Sequence, residues 1–270
     1  MIRKTMTAAW VLILAAMMGW GGITMAERTA PDLPLAERLG VTHVNGQYNP
    51  FPGETDFLNA GADEILALGS KTIMLYAFNP AHNYGIGTAW PRFDSLVEVV
   101  QHSHYQTLFE KPFSTYIMTV YRPGISDHYW LSGVTPAQAE AEQAAMEALA
   151  AYLLETYAGA GKTFILKHWE GDWAIRGDFE ADTAPTDTAI QGMIDWLNAR
   201  QAGVNAAREA FTGSGVNVYH AAEVNLVRQP MLDESRPNVT NAVVPHTTVD
   251  LVAYSAWDTG PRGDEFRQAL

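Results

Sequence analysis

Cysteine is absent from the 270 residues, which excludes disulfides and thiolate metal sites and leaves packing alone to hold the fold. Charge is scarce at 17% of residues, and basic charge is scarcest: 17 Lys and Arg against 30 Asp and Glu give a net charge of −13. Such a surface repels a phosphate backbone, so nucleic acid is not an expected partner. Beyond the N-terminus no apolar run is long enough to span a bilayer. Familiar signatures are missing too. "HVNGQYNPFPG" follows the first apolar run without a GxGxxG fingerprint. "AGAGKT" (158–163) ends like a phosphate-binding loop, but Thr156 stands where its first Gly is required, and it precedes a strand. There is no HExxH, no GxSxG and no dense His/Asp cluster at metal spacing, so no metal or other cofactor is expected. "NVT" (238–240) matches a glycosylation acceptor, a pattern frequent by chance.

What is present begins with a leader. "MIRKTMTAAWVLILAAMMGWGGITMA" has a basic start at Arg3 and Lys4, an apolar stretch from about Ala8 to Ile23, and a small-residue Thr-x-Ala end. This layout predicts a secretory signal peptide over 1–26 and a secreted or periplasmic product without stable membrane insertion after cleavage. Without Arg3 and Lys4 the charge moves from −13 to −15. A lead-in over 27–39 and one domain over 40–270 follow, a length common for undivided α/β barrels. Eight Trp and eleven Tyr supply flat faces for a core or for sugar rings.

Strand and helix patterns alternate along that domain. Strands are predicted at 40–46, 71–78, 114–122, 162–170, 216–227 and 248–257. Helices are predicted at 55–69, 91–102, 104–110, 135–159 and 186–213, with another starting at 263. The helix at 135–159 has Thr135 as cap and Pro136 in its first turn. Continuously apolar strands between helices predict a parallel sheet covered by helices. A barrel of this type gathers polar and aromatic residues at the carboxyl ends of its strands. That pattern recurs here: His43 and Asn45, Tyr76 and Asn79, Tyr121 and Arg122, His168 and Glu170, Glu223 and Asn225, Tyr254, Trp257 and Asp258. The expected fold is therefore a (β/α)8 barrel of the TIM type. Only six of its strand–helix units are legible, which predicts a chain truncated at its C-terminal side.

The densest of these ends is "FILKHWEGDW" (164–173), where an apolar run meets His168, Trp169, Glu170, Asp172 and Trp173. Strand parity puts Phe164, Leu166, His168 and Glu170 on one side. A carboxyl among indoles and an imidazole is partly desolvated, which raises its pKa toward proton donation. The competing reading pairs Glu170 with Arg176 or Lys167 as a loop tie.

On "KHWEGDW" and "VAYSAWD", with a Glu ending strand four of a barrel, the chain resembles the clan A glycoside hydrolases. The resemblance implies hydrolysis of O-glycosidic bonds in a poly- or oligosaccharide, with Glu170 as general acid/base and a nucleophilic Glu ending strand seven. Where the clan usually has Asn before the acid, this chain has Trp169. Such chemistry needs one carboxylic acid for the leaving oxygen and a second carboxylate at the oxocarbenium-like centre. Glu223 ends strand five at an equivalent depth. It is either an auxiliary sugar ligand or the second carboxylate, although neighbouring strands place such pairs poorly for opposite-face attack. His43, Asn45, Tyr76, Asn79, Tyr121, His168, Trp169, Asp172, Trp173, Asn225, Tyr254 and Trp257 are the expected carbohydrate contacts. Two other readings stay open: a non-catalytic carbohydrate-binding barrel, and a metal-dependent hydrolase using His43, His168 and Asp172.

Overall fold

The computed structural model describes residues 34, 39–44, 56–178 and 180–270. The expected signal peptide, most of the lead-in and the candidate Asn45 lie outside the described residues. In chain order the elements are β1 (Gly40–Thr42), α1 (Phe57–Ala67), β2 (Thr72–Tyr76), the short α2 (Pro80–Asn83), α3 (Leu96–Gln101), α4 (Ser103–Glu110) and β3 (Thr115–Thr119). A 3-10 turn (Tyr129–Ser132) leads into α5 (Pro136–Thr156), β4 (Lys162–Lys167), α6 (Gly171–Ala174), α7 (Asp187–Ala210) and β5 (Val216–Val224). After these come α8 (Arg228–Leu232), a π-turn (Val239–Val243), a 3-10 turn (Val244–His246), β6 (Leu251–Tyr254) and α9 (Gly263–Ala269). The six strands form one parallel sheet in the order β1-β2-β3-β4-β5-β6, curled into a half-barrel.

Caps set the helix starts. Thr135 accepts from the Gln138 amide, and the Gln138 side chain returns to the Thr135 amide, closing a capping box ahead of Pro136. Thr186 caps α7 through the Ala189 amide. The helices expected at 91–102 and 104–110 are α3 and α4, the first of them shorter than expected; His102 adopts an extended backbone that ends α3 and caps α4. The first of these starts at Ser95, whose hydroxyl accepts the Glu98 amide.

Parity divides the sheet. Ile73, Leu75, Tyr116, Met118, Phe164, Leu166 and Val218 face the helices and are almost wholly buried, against Leu108, Phe109, Leu149, Leu153 and Val204. Phe164 stacks on Tyr116 at 5.2 Å between ring centres, with Phe109 edge-on to both. On the opposite face, Met74, Ile117, Ile165 and Tyr219 form one register row, each half-buried. Above it lies the row Tyr76, Thr119, Lys167, Ala221 and Leu251. Apolar residues on both faces explain why the strands read as continuous apolar runs.

The two long helices, α5 and α7, pack closely at Gly203. A Cβ there would lie 2.2 Å from the Gln143 carbonyl oxygen and 2.8 Å from the Glu147 amide nitrogen. Gly203→Ala therefore forces the helices apart, an overpacking cost of about 1–3 kcal/mol, offset by up to about 1 kcal/mol of better helix propensity. A lowered thermal midpoint is the expected result. A variant as stable as the parent would show that the crossing gives way freely.

Candidate functional site

The ends of β4, β5 and β6 converge on one carboxylate. Lys167 and Glu223, both on the helix-free face and almost fully buried, form an ion pair with Nζ 2.7 Å from Oε2. The Glu170 amide donates to the same oxygen at 2.7 Å, and the Ser255 hydroxyl donates to Oε1 at 2.5 Å. Both oxygens of Glu223 thus accept donors from the end of β4 or just beyond β4 and β6.

Glu170 departs from the strand pattern. Its backbone is left-handed, with φ 28° and ψ 74°, a conformation that costs a non-Gly residue about 1–3 kcal/mol. The amide bond to Glu223 holds it, and its carbonyl accepts the Trp173 and Ala174 amides at 3.1 and 3.2 Å, starting α6. Gly171 follows because nothing larger fits. A Cβ there would lie 2.6 Å from the Glu223 carbonyl oxygen and 2.8 Å from the His168 ring. The Glu170 side chain is half-buried, and the exposed Trp257 indole N–H donates to its Oε1 at 3.1 Å. Burial raises the carboxyl pKa above its ordinary value, and the negative charge of Glu223 adds to the rise. The Trp257 hydrogen bond and Lys167 oppose it. Tyr76 stands in the same field: burial, then Glu223, then Glu170 raise its phenol. Neither Lys167 nor Arg176 pairs with Glu170, so the loop-tie reading of those pairs does not hold. Lys167 goes to Glu223, and Arg176 goes to the Asp172 carbonyl and the Asn238 side chain.

Parity fails at the same point. Phe164, Leu166 and His168 face the helices, while the turn carries Glu170 away from them. His168 is buried against Trp196, its ring 5.7 Å away. Its Nε2 accepts the Glu223 amide at 3.0 Å, which leaves Nδ1 as the protonated nitrogen beside the Trp169 carbonyl at 3.3 Å.

Other candidates are committed elsewhere. His43 lies under α1, its Nε2 3.0 Å from the Phe57 carbonyl and its ring between Phe57 and Tyr84. Asp172 is wholly buried and accepts the Asn225, Leu226 and Val239 amides at 2.8–3.1 Å. Asn225 returns the contact by accepting the Asp172 amide at 2.9 Å. This reciprocal clamp joins α6 to the exit of β5, while the buried Asn225 Nδ2 has no hydrogen-bond partner among the described residues. Tyr254 gives its hydroxyl to Asp258 at 2.6 Å and stacks toward Phe266. Trp169 and Trp173 are half-buried; Trp169 packs on the core behind β5 and donates its amide to the Tyr121 hydroxyl at 2.9 Å. No group of three His, Asp or Glu side chains at metal-binding distance occurs among the described residues.

A second feature adjoins the first. The exits of β2 and β3 enclose a cavity of about 580 Å³ lined by Phe78, Asn79, Trp90, Phe93, Tyr121 and Arg122 among others. Asn79 is itself left-handed, at φ 42°. Tyr121 links this cavity to Trp169, and Phe78 lies 5.7 Å from the Tyr76 ring. Sequence reasoning weighed Lys167 only as a partner of Glu170 and passed over Ser255. The lysine had a signal, a charge inside an apolar strand on the face opposite Leu166. The serine had none.

No model of a known protein family matches the chain, and no curated protein sequence is similar to it.

Buried, neutral histidine makes the fold sensitive to acid. Burial lowers the His168 pKa from 6.5 to about 3, and burial with the Arg200 charge lowers that of His220 as well. In the unfolded chain each takes up a proton near pH 6.5, so stability is complete above that pH and is lost as pH falls toward 3. His168 alone removes about 2 kcal/mol between pH 6.5 and about 4.5. Urea unfolding at the two pH values tests this: His168→Gln should flatten the loss, and an unchanged slope would contradict it.

Proposed function

We propose that the chain is a glycoside hydrolase in which Glu170 protonates the leaving oxygen of a carbohydrate substrate, and that its parallel sheet belongs to a (β/α)8 barrel. The observation that carries this reading is the conformation and setting of Glu170. A carboxyl is held in strained backbone at the exit of the fourth strand, with its pKa raised, beside a second carboxylate and an indole donor. A raised pKa lets a carboxylic acid keep its proton to a higher pH than an ordinary carboxyl and release it in the transition state. The barrel is supported by the edge of β6, where Leu251 and Val252 are 39% and 51% exposed. An open apolar edge is a surface that further strands would cover. Export through the N-terminal leader belongs to the same proposal, as does the absence of a cofactor requirement.

Glu223 fits the role of electrostatic partner better than that of nucleophile. Its oxygens already accept three donors, and a carboxylate so occupied is poorly placed to attack. The clan resemblance puts the second carboxylate at the end of a seventh strand. The saturation of Glu223 also favours one other reading, a carbohydrate-binding barrel without turnover.

The assay is hydrolysis of a panel of neutral and acidic oligosaccharides with unactivated leaving groups. Glu170→Gln should lower turnover by about 10²–10⁴-fold with the melting midpoint retained. Activity should fall as pH rises through the Glu170 pKa, above the usual carboxylate range. Trp257→Phe removes a hydrogen bond that lowers this pKa, so its alkaline limb should move to higher pH. Full activity in Glu170→Gln, or unfolding with no separable loss, would leave Glu170 a structural residue. Saccharide binding with no turnover in the parent chain would select the binding barrel.

A further inference from the structure

The cavity at the exits of β2 and β3 has walls of aromatic rings and a rim of guanidinium groups. Phe78 and Tyr121 meet edge to face at 5.0 Å. Trp90 is fixed by its indole N–H, which donates to the Tyr84 carbonyl at 2.9 Å. The volume of about 580 Å³ lies within the roughly 300–1,000 Å³ usual for small-molecule sites.

The charge of this cavity runs against that of the chain. Arg122 lies 3.7 Å from Glu142, but Glu142 is already paired with the fully buried Arg200 at 2.8 Å. Two guanidinium groups share one carboxylate, so one positive charge is left over, and it belongs to the more exposed Arg122. Arg92 also lines the cavity, 87% exposed and 4.0 Å from an equally solvated Asp94, a separation at which such pairs contribute little. The carboxylate lining the cavity is Asp127, half-exposed and 3.1 Å from His128. Among the side chains that line the cavity two arginines stand against one aspartate, with the solvated Asp94 beside Arg92, in a protein of net charge −13.

We propose that this cavity binds a sugar ring bearing a carboxylate, a uronic acid residue, with its ring against the aromatic wall and its carboxylate on Arg122 and Arg92. A planar carboxylate matches the guanidinium fork, and an apolar sugar face suits aromatic carbon. The negative charge follows from the cavity itself; the choice of a sugar ring rests on the glycosidase reading.

Ligand-observed NMR titration of the full chain with glucuronate and galacturonate, against glucose, galactose and acetate, tests this. The uronates should bind about tenfold or more tighter than the neutral sugars, the range for a charge-assisted hydrogen bond. Arg122→Gln should erase that preference. Because Arg122 also approaches Glu142, Arg92→Gln is the second variant; it perturbs no buried contact and should weaken uronate binding without affecting neutral sugars. Equal affinity for acidic and neutral sugars overturns the proposal, as does acetate binding as tightly as glucuronate, or a uronate preference that survives both substitutions. Hydrolysis of neutral oligosaccharides with no uronate preference would sink the inference and leave the glycosidase reading standing. An Arg122-dependent uronate preference in a chain with no hydrolytic activity would do the reverse.

Discussion

The buried carboxylate of Glu223 is the group on which the geometry of the strand ends depends. It gathers the Lys167 ammonium, the Glu170 amide and the Ser255 hydroxyl, which come from or just beyond β4 and β6. A buried ion pair adds little net stability, because desolvation offsets attraction, yet breaking one costs about 3–5 kcal/mol by stranding a charge. Its value here is geometric. In the left-handed turn the Glu170 amide donates to Glu223, and this hydrogen bond helps hold the conformation that carries the side chain off the sheet. The same negative charge then acts on the carboxyl it has positioned, raising its pKa.

Around this hub the two faces of the sheet have separate tasks. The helix side is dry, close-packed core, and even its polar members are locked: His168 accepts the Glu223 amide, and Arg200 donates to Glu142, His220 and the Val120 carbonyl. Asp172 extends this frame to the loops beyond β5 by accepting three amides. The helix-free face is left half-open, and its uppermost rows supply Tyr76, Lys167 and Glu223. Gly171 is the joint between the two. It lets the chain pass within contact of the β5 backbone, where any side chain would push Glu170 away from its partners.

Much of this was legible from residue order. Apolar runs marked all six strands, and Thr135 with Pro136 marked the start of α5 within a residue. Capping is a local interaction, so local sequence reports it. Convergence at strand ends was also legible, because parallel strands bring their carboxyl ends to one edge. What failed was parity past His168. A period of two assumes extended backbone, and the left-handed Glu170 is stabilised by a carboxylate 53 positions away, which no local pattern reveals. The division of His43, Asp172 and Tyr254 from the site had the same origin. Each is satisfied by partners distant in sequence or in the following loop, and a polar residue at a strand end looks the same whether it binds a backbone amide or a ligand. The short turns at 129–132 and 239–243 were missed because their hydrogen bonds close within a few residues, without a periodic face.

The strand order places groups of opposite sign next to each other. The exits of β2 and β3 carry Arg122 and Arg92; those of β4 and β5 carry Glu170 and Glu223, only one of which Lys167 neutralises. Tyr76, Phe78 and Tyr121 form a run of rings in contact at the ends of β2 and β3. An anionic residue seated at the arginines adds negative charge on the side of the proton donor. Like charge favours the protonated form of a carboxyl, so on the proposed readings such a ligand would hold the proton on Glu170 until the leaving oxygen takes it. A neutral residue in the same cavity would leave that proton less firmly held. On those readings, recognition of charge at one pair of strands and acidity at the next would be coupled through the field, without any movement of the chain.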